Sequence, residues 1–185
     1  ARYLQFDEVP LAMLCDVNVR AMVEGYGEDP ATLIDRYIEL INACVAERPS
    51  GVTMALHMCR GNFKGRWLSE GGYDQVAERL FAGLNVDAFF LEYDTPRAGG
   101  FRPLRHVPDD KSVVLGLIST KSGALESADD IVARIEEAAR IVPLERLAVS
   151  PQCGFSSTVA GNPLTLEDEE KKLRLLVDVS RRVWG

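Results

Sequence analysis

The sequence predicts an α/β fold on a parallel sheet, arranged as part of a (β/α)8 TIM barrel, and three observations lead there. Five short apolar runs alternate with helical patterns along the chain, the arrangement that gives parallel strands joined by crossover helices. The runs are near-continuous rather than cleanly alternating, as expected for parallel strands covered on both faces. Candidate chemistry follows three different strands at their C-terminal ends, where barrel enzymes assemble their sites, whereas an open doubly wound sheet concentrates ligand contacts at one switch point. A whole barrel takes about 250 residues, so the 185 residues here are expected to form one domain, 1–185, that is only part of a barrel.

The expected strands are Tyr3–Asp7, Val52–Cys59, Ala88–Tyr93, Ser112–Ser119 and Leu147–Ser150. Asp29-Pro30 opens a helix to about Glu47, with proline at an early position where its missing N–H is harmless. A second helix, Tyr73 to about Leu84, repeats Val76, Leu80, Phe81 and Leu84 at helical spacing. Ser127 to Asp130 resembles a capping box ahead of Ile131, Ile135 and Ala138, and Thr165 to Asp168 starts a last helix to about Trp184. Cys44 follows Ile34, Ile38 and Ile41 and is expected to be a buried core thiol; Cys15 is also expected to be structural. No GxGxxG motif or P-loop follows any strand, and the pairs Gly71-Gly72 and Gly99-Gly100 read as loop glycines.

A formal net charge of −7 without an offsetting basic cluster argues against a nucleic-acid partner. The pairs Lys171-Lys172 and Arg181-Arg182 lie in an acid-rich helix and read as solvated faces. No apolar run approaches the ~20 residues of a membrane span. The N-terminus lacks a signal-peptide pattern, so a cytoplasmic location is expected. Four cysteines without a secretory signal favour metal or catalytic use over disulfides. Ala1 leads straight into a strand pattern, as expected of a piece of a larger protein.

The most informative segment is His57-Met58-Cys59, closing the second strand. Alternation along a strand points positions 57 and 59 to the same side. Glu92 ends the third strand, with Asp94 as its rival on the same face, and Cys153 follows the fifth. A lone histidine at a strand end is more often simply hydrogen-bonded, and His106, in a polar loop, keeps that reading. With two thiols and a carboxylate at neighbouring strand ends, His57 belongs to a candidate zinc (Zn2+) site of His57, Cys59, Glu92 and Cys153.

These motifs carry a family resemblance. Gln5 to Glu8, His57 to Cys59, Leu91-Glu92, Gly116 to Lys121 and Ser150 to Gly154 occur in the same order as in the catalytic barrel of cobalamin-independent methionine synthase, and the chain most resembles the short single-barrel members. The resemblance spans nearly the whole chain. It implies that the five strands are strands four to eight. The first three strands, which in the family add homocysteine and folate contacts, would lie in the N-terminal part of the same barrel, the expected partner of this piece. It implies zinc on His57, Cys59, Cys153 and Glu92, and Asp7 on the amino group of the amino-acid substrate. One departure stands out: where the family carries an Asp and a His, this chain has Ser119 and Lys121.

The implied reaction is methyl transfer from a methyltetrahydrofolate-type donor to homocysteine, giving methionine. A free thiol, with a pKa of ~8.5, is mostly protonated at neutral pH, and the thiolate is the nucleophile; zinc binds and deprotonates the substrate sulfur. Asp7 and Lys121 are the candidate catalytic residues. Asp7, Arg60, Asn62, Asp94 and Ser119 are the candidate substrate contacts, although a loop hydrogen bond is the more ordinary role for Arg60 and Asn62. Two other functions stay open: zinc-dependent alkylation of another thiol, of the coenzyme M type or from a corrinoid methyl donor, and a non-catalytic structural zinc domain.

Overall fold

The computed structural model describes residues 1–185 and contains five strands: β1 (Tyr3–Glu8), β2 (Thr53–Met58), β3 (Ala88–Glu92), β4 (Ser112–Ile118) and β5 (Leu147–Pro151). All neighbouring pairs are parallel, in the order β1-β2-β3-β4-β5, with no reversal and therefore no switch point. β1 and β5 each have a sheet neighbour on one side only. Asp7 lies in register with His57, and His57 with Phe90.

The helices are α1 (Pro10–Met13), α2 (Val17–Gly25), α3 (Pro30–Ala46), α4 (Ala77–Gly83), α5 (Ala128–Ala139) and α6 (Leu166–Trp184). Their starts follow local chemistry. Asp29 accepts from the Ala31 and Thr32 amides at 3.2 and 3.1 Å, and Thr165 and Asp168 form a reciprocal capping box. α1 and α2 had no strong periodic signal, yet Pro10 occupies the first position of α1 and Asp16 caps α2 through Asn18. The expected helix over 73–84 is divided: a single 3-10 turn, Tyr73–Gln75, precedes α4. Only 3-10 turns, Pro96–Ala98 and Arg102–His106, connect β3 to β4.

The two faces of the sheet differ. Met54, Leu56, Met58, Phe89, Leu91, Val113 and Leu115 are almost wholly buried, in one core with Ile34 and Ile38 of α3, Leu80 and Phe81 of α4, and Ile131 and Ile135 of α5. On the alternate face, Tyr3, Gln5, Asp7, Thr53, Ser112 and Ala148 are exposed. Ala55, Glu92 and Val114 on that same face are buried, so the expected cover on both faces holds only in part within this chain. In a sequentially ordered parallel sheet, crossovers of one hand send every helix to the same side.

Two residue-level expectations also fail. The buried stripe of α3 steps through Ile34, Ile38, Ile41 and Val45, which leaves Cys44 one position off it and exposed. Lys172, expected in solvent, is 1% exposed; its ammonium donates to the Ala124 carbonyl and pairs with Glu126 at 2.8 Å. Glu126 also accepts the Ser119 amide at 2.8 Å, so α6 steadies the loop after β4. Cys15 is buried, as expected.

Glu8, the last residue of β1, is buried and accepts the Leu11 amide with both carboxylate oxygens, at 3.0 and 2.8 Å. Burial pushes its carboxyl from an ordinary 4.5 up to about 7, against the hydrogen bonds from Leu11 and Ala12. Between these values the folded protein holds a proton that the unfolded chain has released. Stability therefore falls as pH rises through that window, by on the order of 3 kcal/mol in total. Glu8→Gln keeps an acceptor for Leu11 and is expected to flatten this dependence. Urea denaturation at pH 5 and pH 8 measures it; an equal pH slope in both proteins refutes the assignment.

Candidate metal centre

His57 sits one residue before the end of β2, and Cys59 follows one residue after it. Cys153 lies two residues beyond β5. On a flat sheet, three strand spacings would separate β2 from β5 by about 14 Å. Instead, Cys153 Sγ is 3.4 Å from His57 Nε2, so the sheet curls around this point. The ligand atoms of His57, Cys59 and Cys153 all lie within 4.8 Å of one another. A tetrahedral zinc with Zn–S bonds of about 2.3 Å needs sulfurs about 3.8 Å apart. The three residues fit that requirement in both chemistry and spacing.

The electrostatics of the three groups are coupled. The Cys59 thiol is lowered, first by the hydrogen bond from Cys153 and then by His57, although burial opposes this. Cys153 is raised by sharing that hydrogen bond with Cys59 and by burial. Burial pulls the His57 imidazole down, but its bond to Cys59 and the charges of Cys59, Asp7 and Glu92 outweigh it, for a net rise. The shifts of Cys153 and His57 favour their protonated forms, whereas that of Cys59 favours the thiolate, the form of a cysteine that binds a divalent cation. A cavity of about 470 Å³ opens beside the three residues and is lined also by Gln5, Asp7, Asn62, Phe90, Ser150 and Ser157. Asp7 is on its rim and exposed.

Glu92 lies outside the three-residue cluster. Its fully buried carboxylate accepts from Arg97 Nη2 at 2.6 Å with one oxygen. The other accepts the Arg60 amide at 2.9 Å and faces Lys121 Nζ at 3.4 Å. Burial acts to raise the Glu92 carboxyl, but Lys121, the Arg60 amide and Arg97 hold it below its ordinary value. Asp94 is equally buried, 3.2 Å from Arg97 and 3.7 Å from Lys121.

Residues 17–181 match the catalytic domain of cobalamin-independent synthase. The chain belongs to this family. Among curated relatives of this synthase family, the uncharacterized proteins YxjG and YxjH of Bacillus subtilis are 47% and 48% identical over 184 residues, 99% of this chain and 49% of each relative. A 5-methyltetrahydropteroyltriglutamate–homocysteine methyltransferase of Bacillus licheniformis is 28% identical over 101 residues, 55% of this chain and 12% of that protein. A Listeria monocytogenes structure assigned as a vitamin-B12 independent methionine synthase aligns over all of this chain and 49% of its own, at 36% identity and TM-score 0.68. A B12-independent methionine synthase from Shewanella sp. W3-18-1, solved with selenomethionine, aligns over 99% of this chain and 48% of its own, at 20% identity and TM-score 0.70, a likeness of fold. The chain thus spans about half the length of the curated relatives YxjG and YxjH that it matches.

The remaining candidate residues divide by location. Asn62 lines the cavity, donating to Thr120 Oγ at 2.9 Å and accepting from the Gly65 amide at 3.2 Å. Ser119 accepts the Lys121 amide at 3.3 Å and does not line the cavity. Arg60 is fully buried and donates to Gly71 O at 2.8 and 2.6 Å, to Tyr73 Oη at 3.2 Å and to Glu92 O at 3.3 Å. With its donors engaged and the side chain sealed off, Arg60 braces loops instead of meeting a substrate carboxylate. Asp94 and Lys121 are likewise absent from the cavity lining. The loops that Arg60 ties are in backbone contact: a Cβ on Gly99 would lie 2.6 Å from Gly72 Cα, so the two glycine pairs are a packing device.

Three supporting residues were not anticipated. Tyr73 donates to Met58 O and accepts the Glu92 amide, both at 3.0 Å, joining the ends of β2 and β3. Thr120 Oγ accepts from Asn62 and, at 3.0 Å, from Gln152, joining the loops after β2, β4 and β5. Arg97 had one available signal, its position three residues after Asp94 and five after Glu92.

Proposed function

We propose that this chain is the metal-bearing part of a zinc-dependent methyltransferase, moving a methyl group from a methyltetrahydrofolate-type donor to homocysteine thiolate to give methionine. The observation that carries the reading is the convergence of His57, Cys59 and Cys153 on a cavity at the C-terminal ends of β2 and β5. These three residues would hold zinc, with Glu92 as a further candidate ligand. When bound, zinc supplies Lewis acidity that keeps a substrate thiol ionised near neutral pH. Asp7, on the cavity rim, would pair with the substrate ammonium, and Asn62 would contact substrate at the cavity wall.

We also propose that β1–β5 are the last five strands of a (β/α)8 barrel, completed by an N-terminal part outside this chain. Sequential strand order, helices on one face, the curl between β2 and β5, and relatives twice as long support this. No helix here is long and apolar enough to cross a membrane.

A second reading keeps the zinc and a thiolate nucleophile but takes the methyl group from a methylated corrinoid, or alkylates another thiol, of the coenzyme M type. Lys121 favours it. Expulsion of a folate nitrogen calls for a proton donor, whereas Lys121 is buried against Glu92 and Asp94 away from the cavity; a corrinoid leaving group needs no proton. A structural zinc domain, by contrast, closes its metal with four protein ligands and has no use for an adjoining cavity.

Metal analysis of the full-length protein, followed by methyl transfer assays pairing folate and corrinoid donors with homocysteine and coenzyme M, tests these readings. Stoichiometric zinc with homocysteine methylation from a folate is the expected result. Methylation from a corrinoid alone selects the second reading. Zinc that never exchanges a ligand for thiol selects the structural one, and absence of zinc overturns all three.

A further inference from the structure

We propose that Tyr3 and Gln5 form a hydrogen-bonded relay along β1 that aims Asp7 at the ammonium group of an α-amino thiol, so that Gln5 sets the preference for an aminated substrate. The inference rests on the reading of Asp7 as the ammonium contact and deepens it. Tyr3, Gln5 and Asp7 occupy alternate positions of β1 and so share the face that carries His57. Tyr3 Oη donates to Gln5 Oε1 at 2.6 Å, and Gln5 Nε2 donates to Asp7 Oδ1 at 3.3 Å. Gln5 and Asp7 both line the cavity beside His57, Cys59 and Cys153. Across the sheet Gln5 is in register with Ala55, which offers no polar side chain to compete for its amide. The foot of the relay is held from β3: the Tyr3 ring meets Phe90, another cavity residue, edge-on at 6.4 Å.

The direction of the relay follows from what each group can do. An ionised carboxylate only accepts hydrogen bonds, so Gln5 must present its amide N–H to Asp7 and its carbonyl to Tyr3. The Tyr3 hydroxyl is then left as the donor. Burial and, after it, the charge of Asp7 raise that hydroxyl above its ordinary value, which keeps its proton in place. One oxygen of Asp7 is occupied in this way, and Oδ2 is left to accept from a ligand in the cavity. A carboxylate at an exposed strand end would otherwise sample several rotamers, and a group already aimed loses less freedom on binding. Tyr3 and Gln5 are therefore positioning residues that act through Asp7. A thiol without an amine, of the coenzyme M type, gains nothing from them.

Equilibrium binding of homocysteine and of γ-mercaptobutyrate, the same thiol acid without the amine, to the full-length zinc-loaded protein tests this without turnover. The readout is the ratio of the two affinities. In the wild type homocysteine binds more tightly, and Asp7→Ala removes that preference. Gln5→Leu, and in parallel the near-isosteric Gln5→Met, is expected to lower the ratio by at least about tenfold, the worth of a hydrogen bond to a charged group. Affinity for γ-mercaptobutyrate stays within about twofold of wild type, because that ligand does not use Asp7. Tyr3→Phe, one step further from the ligand, lowers the ratio by about threefold. Adding Gln5→Leu to Asp7→Ala changes nothing further. Circular dichroism confirms that each variant folds. Equal weakening of both thiols, or an unchanged ratio, in a folded Gln5 variant overturns the relay while the reading of Asp7 stands. An unchanged ratio in Asp7→Ala, or no preference in the wild type, overturns both.

Discussion

Replacing Cys153 with serine is expected to abolish metal retention at stoichiometric levels and thiol methylation with it. Loss of an outer partner of a metal site typically costs 10–100-fold in affinity, and removal of one of only three converging ligands is expected to exceed the upper end of that range. Metal content after dialysis against a weak chelator measures the effect. Cys44→Ser serves as the control, because that thiol is exposed on α3, outside the ligand cluster. Undiminished metal in Cys153→Ser would remove the assignment.

The second large effect is expected at Arg60. Arg60→Met leaves the Gly71 carbonyl, now doubly hydrogen-bonded, and the Glu92 carbonyl without their donor in a water-excluded site. Hydrogen bonds from a charged donor are worth about 1.5–3 kcal/mol each, so a loss of at least about 3 kcal/mol is expected in chemical denaturation. A kinetic control separates bracing from substrate binding. If Arg60 only braces, its loss slows methylation of homocysteine and of a thiol lacking a carboxylate by the same factor. A penalty confined to the carboxylated thiol would restore Arg60 as a substrate contact.

The strands were legible because each is an apolar run, and their ends agree with the structure to within one or two residues. The ligand cluster was legible for a related reason: period-two alternation puts His57 and Cys59 on one face, and the end of an apolar run marks where β5 releases Cys153. Cys44 shows the limit of such patterns. A helical stripe tolerates steps of three or four, and the choice of Val45 over Cys44 is made by packing against the sheet. Lys172 was misread because long cations are ordinarily solvated, and only tertiary structure brings the carbonyl and carboxylate that allow its burial. Exposure of one sheet face was illegible for a different reason: the strands carry apolar residues on both faces, and which face this chain covers depends on crossover hand.

The histidine and the late cysteine that meet at 3.4 Å are 96 residues apart in the chain. Contacts of such long sequence separation form late, since the entropy of closing the intervening loop must be met first. No metal-binding nucleus is available to the chain emerging from the ribosome until β5 has been made and docked. On the zinc reading, metal uptake would accordingly follow closure of the whole sheet, and the rate of metal acquisition would time that closure.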